Sequence, residues 1–488
     1  MASISLSTRM EFSKVELEKK SVVHLLVNLK SQPFAPKDRK PLSISAVIDV
    51  SGSMQGDKID YARKTLRELA RHMTPEDTLS ISAFSDDVWT VLPPTKMDQD
   101  GRLKAAEKIS ELHSLASTNL SGAVIEGWDR IKNAATPVAR VIIFTDGQPT
   151  AGITDKGEIV KLAGKRSLET ASLTTMGYGQ DCDRELLGQM AKAGSGNFYF
   201  VGTPDECLSI FGIELGGLLS CVAQQIKVTL NVEKDVKILE VLNDYDVEAD
   251  DKEGRWAKVS MGDAYAEEVR RVLIKLELPS MGRTLGARPI HVASVRCDFF
   301  DVVAGEARWE ESKVKVEFVP ASEVQKDPDV EVREQVAIQK AAKAQEEARK
   351  LAEAHDWKGA QAMVMMAIND LRGVGTEAAV SFSADLSKNV MPALEGAHEY
   401  RTAGGAHYMY SNTQSYSHGR ALNKKMSSTL ANASQKATMK SFEDANVGEI
   451  LLDPTNVPAK DLGKVMPFIQ NSLKPAVKDT TISKKKRR

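Results

Sequence analysis

Between about residues 43 and 220, short apolar runs alternate with amphipathic stretches. "ISAVIDV", "TLSISAFS", "ARVIIFTD" and "ASLTTMGYG" are rich in Val, Ile and small residues, and each is bounded by turn signals. Between them stand "DKIDYARKTLRELARHM", "RLKAAEKISELHSL", "LSGAVIEGWDRIKNA" and "DRELLGQMAKAG", whose apolar positions recur at helical spacing. Near-continuous apolar strands separated by amphipathic helices predict a largely parallel sheet covered on both faces. The expectation for 41–220 is a doubly wound, Rossmann-like α/β unit.

After residue 221 the period changes to two. Ile226, Val228, Leu230 and Val232 share one face, as do Val272, Ile274, Leu276 and Leu278, and then Val314, Val316 and Phe318. Strict alternation marks half-exposed antiparallel strands, so 221–322 reads as a β-sandwich. Residues 1–40 carry the same period, with Ile4, Leu6, Met10 and Phe12 followed by Val23, Leu25, Val27 and Leu29. These N-terminal strands are expected to complete that sandwich, which makes the α/β unit an insertion within a single β domain.

From 323 to 400 the pattern is helical, an Ala- and charge-rich stretch followed by "WKGAQAMVMMAINDLRG", with Asp356 as its cap and Gly373 as its stop. A third helix over "EAAVSFSADLSKNVMPALEGAHEY" would close a small bundle, and Met363, Met365 and Met366 read as core in preference to a peptide groove. Residues 401–488 turn polar and end in "KKKRR", so this region is expected to be partly disordered. The multidomain architecture is therefore α/β, all-β and α in turn.

Composition narrows the function. With 488 residues the chain is too long for one core, and a formal net charge of -2 argues against nucleic acid as a general partner. Only the basic end could make a nucleic-acid contact or act as a nuclear-import signal. No stretch of 18 apolar residues suggests a membrane span, and the N-terminus lacks the pattern of a secretion signal. Cys182, Cys207, Cys221 and Cys297 form no C-x-x-C pair, which disfavours a zinc site or a disulfide framework. A cytoplasmic location is the expectation.

The chemistry concentrates where apolar strands end. "ISAVIDV" places Asp49 at a strand's carboxyl end with Ser51 and Ser53 in the loop beyond, and "ARVIIFTD" ends in Asp146. Thr118 lies just before a helix in "LASTNLSGAV". In open α/β sheets this edge is where ligands bind. Asp49 could instead cap the next helix, and "TDG" could be an ordinary turn. If the loops converge, all five donors are hard oxygens, with two negative charges among them. Mg2+ suits such a set, because it keeps several waters and would leave a coordination position open to an acidic group from a partner. Mn2+ or Ca2+ would accept the same donors.

"DVSGSM", "STNLSGAV" and "FTDGQPTAG" resemble, in order and spacing, the metal-ion-dependent adhesion site of von Willebrand factor type A domains, over about 43–215. The resemblance implies that Ser51, Ser53 and Thr118 contact an ion through hydroxyls, while Asp49 and Asp146 act mainly through bound water. "GITDKGEIV" and "GYGQDCDRELLGQMAKAGSGNFYFV" are similar to the type A domains of inter-alpha-trypsin-inhibitor heavy chains and calcium-activated-chloride-channel-like proteins, and of intracellular proteins that pair the domain with Hint or RING modules. This chain has neither module, so self-processing and ligase activities are not implied.

The expected function is an Mg2+-dependent protein-binding adaptor, with a partner's Asp or Glu completing the metal, and not an enzyme. An alternative is a partner subunit of an AAA+ ATPase. The chain has no G-x-x-x-x-G-K-[ST] loop, so any ATP use would belong to another subunit. A metal-dependent hydrolase is disfavoured, because these loops offer no His as a general base.

Overall fold

The structure, a computed structural model, describes residues 3–452 apart from 34–38, 116, 135, 168–170, 203, 251, 282–288, 403, 423–425 and 427–429. The basic end lies outside the described residues.

The N-terminal strands β1 (Ile4–Met10), β2 (Lys14–Glu16) and β3 (Ser21–Ser31) precede the α/β unit. That unit contains β4 (Leu42–Asp49), α1 (Asp57–His72), β5 (Thr78–Phe84), β6 (Val88–Lys96), α2 (Gln99–Ser110), α3 (Leu120–Ile131) and β7 (Val138–Thr145). It continues through α4 (Lys156–Ser167), β8 (Ser172–Tyr178), α5 (Arg184–Ala193), β9 (Ser195–Val201) and α6 (Pro204–Leu219). The sheet order is β6-β5-β4-β7-β8-β9, and only β6 runs antiparallel to its neighbour.

All eight residues of β4 are buried, as are all eight of β7, because these central strands are covered on both faces. Ile44, Ala46 and Ile48 pack with α1, α2 and α6, whereas Val47 and Val141 pack with α3, α4 and α5. This two-sided burial is why their sequences read as runs and not as alternations.

Strands β10 (Cys221–Val232), β11 (Lys237–Val241), β12 (Asp246–Ala249), β13 (Trp256–Tyr265), β14 (Val269–Leu278), β15 (Pro289–Asp301) and β16 (Glu306–Val319) build the sandwich. One sheet runs β1-β3-β14-β11 and the other β12-β13-β10-β15-β16-β2, so the first 31 residues supply strands to both sheets. The α/β unit is thus inserted into the sandwich. Its two connections meet at one turn, where Glu267 N donates to Gln32 O and Ala266 N donates to Ser220 O. That proximity is the geometric condition for an insertion.

α7 (Val330–Glu353) and α8 (Trp357–Val374) form a hairpin. Asp329 caps α7 and Asp356 caps α8, the latter accepting from Gly359 N at 2.9 Å. The stop is Gly375 at φ +78°, two residues beyond Gly373, because only there does the chain need the left-handed conformation. The expected third helix is broken into α9 (Glu377–Asp385), a π-turn over Leu386–Val390, a short 3-10 turn and α10 (Ala397–Thr402). Pro392 heads that 3-10 turn, where its missing N–H cannot continue an α-helix. Met365 and Met366 are 44% and 65% exposed, so the core reading of the methionine cluster does not hold for them.

The described residues between 401 and 452 are largely helical despite their polar sequence. α11 (Gly405–His418) is largely buried, and α12 (Ala433–Leu452) packs on α6. Hydrogen bonds explain how polar residues are accommodated there. Asn412 Nδ2, Tyr408 OH and Tyr416 OH all donate to the Asp385 carboxylate, at 2.7 to 2.9 Å.

Candidate metal centre

Three strand ends of the α/β sheet form one crest. Asp49 closes β4 and is fully buried. Its Oδ1 accepts from Ser51 N at 2.8 Å, so the loop folds back on the carboxylate that precedes it. This Asx-type turn brings the Ser51 hydroxyl 3.0 Å from the Ser53 hydroxyl. Ser51 is buried and Ser53 is exposed. Asp49 therefore does not cap α1, whose cap position is Gly56.

Thr145, the last residue of β7, donates its hydroxyl to Asp49 Oδ2 at 2.5 Å and accepts from Gly147 N at 2.9 Å. One hydroxyl thereby fixes a carboxylate on the neighbouring strand and shapes the turn after its own. Burial pushes the Asp49 carboxyl up to about 6, against the hydrogen bonds from Ser51 and Thr145, and Asp146 adds to the rise.

Asp146 is fully buried, and neither carboxylate oxygen has a hydrogen-bond partner. Lys58 Nζ lies 3.6 Å from Oδ2 and 3.0 Å from Asp181 Oδ1. A buried carboxylate lacking hydrogen bonds is costly unless a positive charge stands beside it. Among the described residues, no three His, Cys, Asp or Glu side chains gather as a metal cluster. An ion here must therefore draw on hydroxyls, which is the donor chemistry this crest offers.

Thr118 is buried in the loop before α3. Its N–H donates to Thr150 Oγ1 at 2.9 Å, and its carbonyl accepts from Thr150 N and Ala151 N. Asn119 N donates to Ser85 O at 2.7 Å, which lays this loop across the end of β5. Asn119 also caps α3 by accepting from Gly122 N. Gly152 is required beside it, because a Cβ there would sit 2.2 Å from Asn119 Oδ1. The loops carrying Asp49, Thr118 and Asp146 are thus knit together mainly through their backbones.

Two residues of this crest were not singled out in the sequence. Thr145 looks like any β-branched strand residue, and its only signal is its place next to Asp146. Lys58 looks like an ordinary charge in the first turn of α1.

Residues 44–148 match the model of the von Willebrand factor type A domain. An inter-alpha-trypsin inhibitor heavy chain of Mesocricetus auratus is 31% identical over 177 residues, which covers 33% of this chain and 19% of the heavy chain. A ubiquitin-protein ligase of Arabidopsis thaliana is 25% identical over 277 residues, covering 54% of this chain and 34% of the ligase. The matched parts thus span about a fifth to a third of these relatives. A von Willebrand factor type A protein from Catenulispora acidiphila superposes with a TM-score of 0.65 at 18% identity, over 82% of this chain and 92% of that one. The ArnB paralog from Sulfolobus acidocaldarius gives 0.56 at 19% identity, over 84% and 98%. At such identities the likeness is one of fold, and its coverage extends well past the α/β unit. Sequence match and fold agree that the unit inserted into the sandwich is a von Willebrand factor type A domain, a module that commonly mediates protein–protein interaction.

Proposed function

We propose that the crest is a divalent-cation site, best suited to Mg2+, which captures an acidic side chain of a protein partner. On this reading Ser51, Ser53 and Thr118 supply hydroxyl ligands, and Asp49 and Asp146 hold the ion's waters. The bound ion would supply a Lewis-acidic position for the partner's carboxylate. The observation that carries the reading is Asp146, fully buried with both oxygens lacking hydrogen bonds. The donor set favours a hard ion that keeps open positions.

An adaptor role fits better than catalysis. On this reading Asp49 and Asp146 serve the ion, and Lys58 and Asp181 beside them are paired with each other, whereas a metal-assisted hydrolase needs a further base within reach of the activated water. Cys182, Cys207, Cys221 and Cys297 are free and buried, and none of them forms a zinc-ligating pair. Those reduced thiols also support a cytoplasmic setting. Among the described residues no helix is long and apolar enough to cross a membrane.

The test is partner capture by immobilised protein in Mg2+, in chelator, and with Asp49→Ala in Mg2+. Capture restricted to the first condition, together with direct Mg2+ binding by calorimetry, is the expected result. Equal capture in all three would end the reading.

A further inference from the structure

Lys58 occupies a seat that the fold has shaped for it. It is the second residue of α1, the helix that follows the Asp49–Ser53 loop, and its side chain is 23% exposed. Its ammonium is held by Asp181 at 3.0 and 3.3 Å and stands 3.6 Å from Asp146 Oδ2. Gly179 has φ +82°, and a Cβ on it would lie 2.7 Å from Lys58 Cε and 3.1 Å from Nζ. The loop after β8 therefore leaves room for this side chain. Asp181 is fixed in turn, because its carbonyl accepts from Gln148 Nε2 at 2.6 Å, a residue two positions beyond Asp146. The ammonium is thus shared unequally. Asp181 takes the hydrogen bonds, and Asp146, which has none, takes the field.

The geometry points to Lys58 as a resident counter-cation that competes with the divalent ion for Asp146 and sets how tightly that ion is held. This rests on the divalent-cation reading of the crest. A fixed positive charge beside the ligand set repels an incoming divalent ion, and in a buried site that repulsion is screened far less than in water. The same charge keeps the buried Asp146 carboxylate tolerable when no ion is bound. Asp181 moderates both effects by drawing the ammonium toward solvent. The consequence is an exchangeable site, whose affinity is tuned by a residue that ligates nothing.

The inference makes opposite predictions for neighbouring residues. In full-length protein titrated with MgCl2 by calorimetry, Lys58→Met should tighten Mg2+ binding by about tenfold or more. Lys58→Arg, which keeps the charge, should stay near wild type. Asp181→Asn should weaken binding, because the ammonium is freed to lean on Asp146. If Asp181 acts through Lys58, the double variant should match Lys58→Met alone, as a double-mutant cycle would show. Melting in chelator gives a second readout. Lys58→Met should melt lower than wild type without Mg2+ and show a larger Mg2+-induced rise.

Unchanged Mg2+ affinity in Lys58→Met, with wild type binding normally, overturns the inference and leaves the metal reading standing. Weaker binding in Lys58→Met overturns it too, since Lys58 would then support the ion. No binding by any form removes the metal reading and this inference together. Binding that emerges only in Lys58→Met supports both. Lys58→Gln, measured alongside, separates loss of charge from any local fault caused by Met.

Discussion

Thr145 is the most informative single residue at the crest, because it serves two partners with one hydroxyl. It donates to a fully buried carboxylate and accepts from the turn that carries Asp146. Thr145→Val keeps shape and β-propensity while deleting both bonds, which leaves Asp49 with a buried lone pair unmet. Hydrogen bonds to charged groups contribute about 1.5–3 kcal/mol, so the variant should be destabilised by about that amount in chelator. Thr145→Ser restores the hydroxyl and should recover most of it. Chemical denaturation of the three proteins checks this, and a Val variant as stable as wild type would mean that the contact carries no weight. The same residue marks a limit of sequence reading. Asp49, Ser51, Ser53 and Asp146 were legible because hydroxyls and carboxylates at strand ends are conspicuous. Thr145 and Lys58 were not, because a β-branched residue in a strand and a cation in a first helical turn have ordinary explanations.

At the scale of elements, α11 shows how a polar sequence can form a packed helix. "GAHYMYSNTQSYSH" is poor in aliphatics, yet it fills the space between the α/β unit, the sandwich and the helical hairpin. His407 stacks on Phe200 of β9 at 4.1 Å, and His418 stacks on Tyr245 at 4.7 Å, so the two ends of the helix grip different domains. Several of its polar atoms find distant partners such as Asp385 and Gln180 O, which no local pattern announces. The strands of the sandwich, by contrast, were legible because alternation depends only on local exposure.

Burial lowers both imidazoles to about 4. For His407 the bond to Gln180 O opposes the drop, while Arg184 and Arg349 deepen it and Asp181 opposes it. For His418 the corresponding groups are Asp244 O, Arg270 and Arg420, with the Asp244 charge opposing. A folded value below the usual 6.5 means that the unfolded chain binds protons more readily in that interval. The contribution to stability is therefore complete above about pH 6.5 and is lost as pH falls toward 4. Protection factors across α11, referred to intrinsic exchange at each pH, should fall over this window, and His407→Gln should flatten part of the dependence. A protection pattern unchanged from pH 7 to 4.5 would contradict the assignment.

At the scale of the whole molecule, the units are joined by buried charge as well as by chain connectivity. Arg140 on β7 pairs with Asp263 on β13 at 2.5 Å, with both side chains 1% exposed. Glu214 on α6 lies 3.6 Å from the same guanidinium. Arg420, just past α11, donates to Glu268 at 2.7 and 2.8 Å, to Asp263 O and to Asn197 Oδ1. The α/β unit, the sandwich and the C-terminal segment thus share one desolvated cluster. The insertion itself was legible from the period of the first 30 residues, but this cluster was not, since an Arg within a strand reads as solvent-facing. Breaking a buried pair costs about 3–5 kcal/mol because the remaining charge is stranded. Arg420→Met should cost about that much, as Glu268 and Asn197 lose their donor together. The loss should be felt on both sides of the junction, so calorimetry should show a lower, broader transition while hydrogen exchange rises in β9 and in the β13–β14 turn alike. A rise confined to α11 would show that Arg420 merely anchors its own segment, and that the type A domain and the sandwich are held together without it.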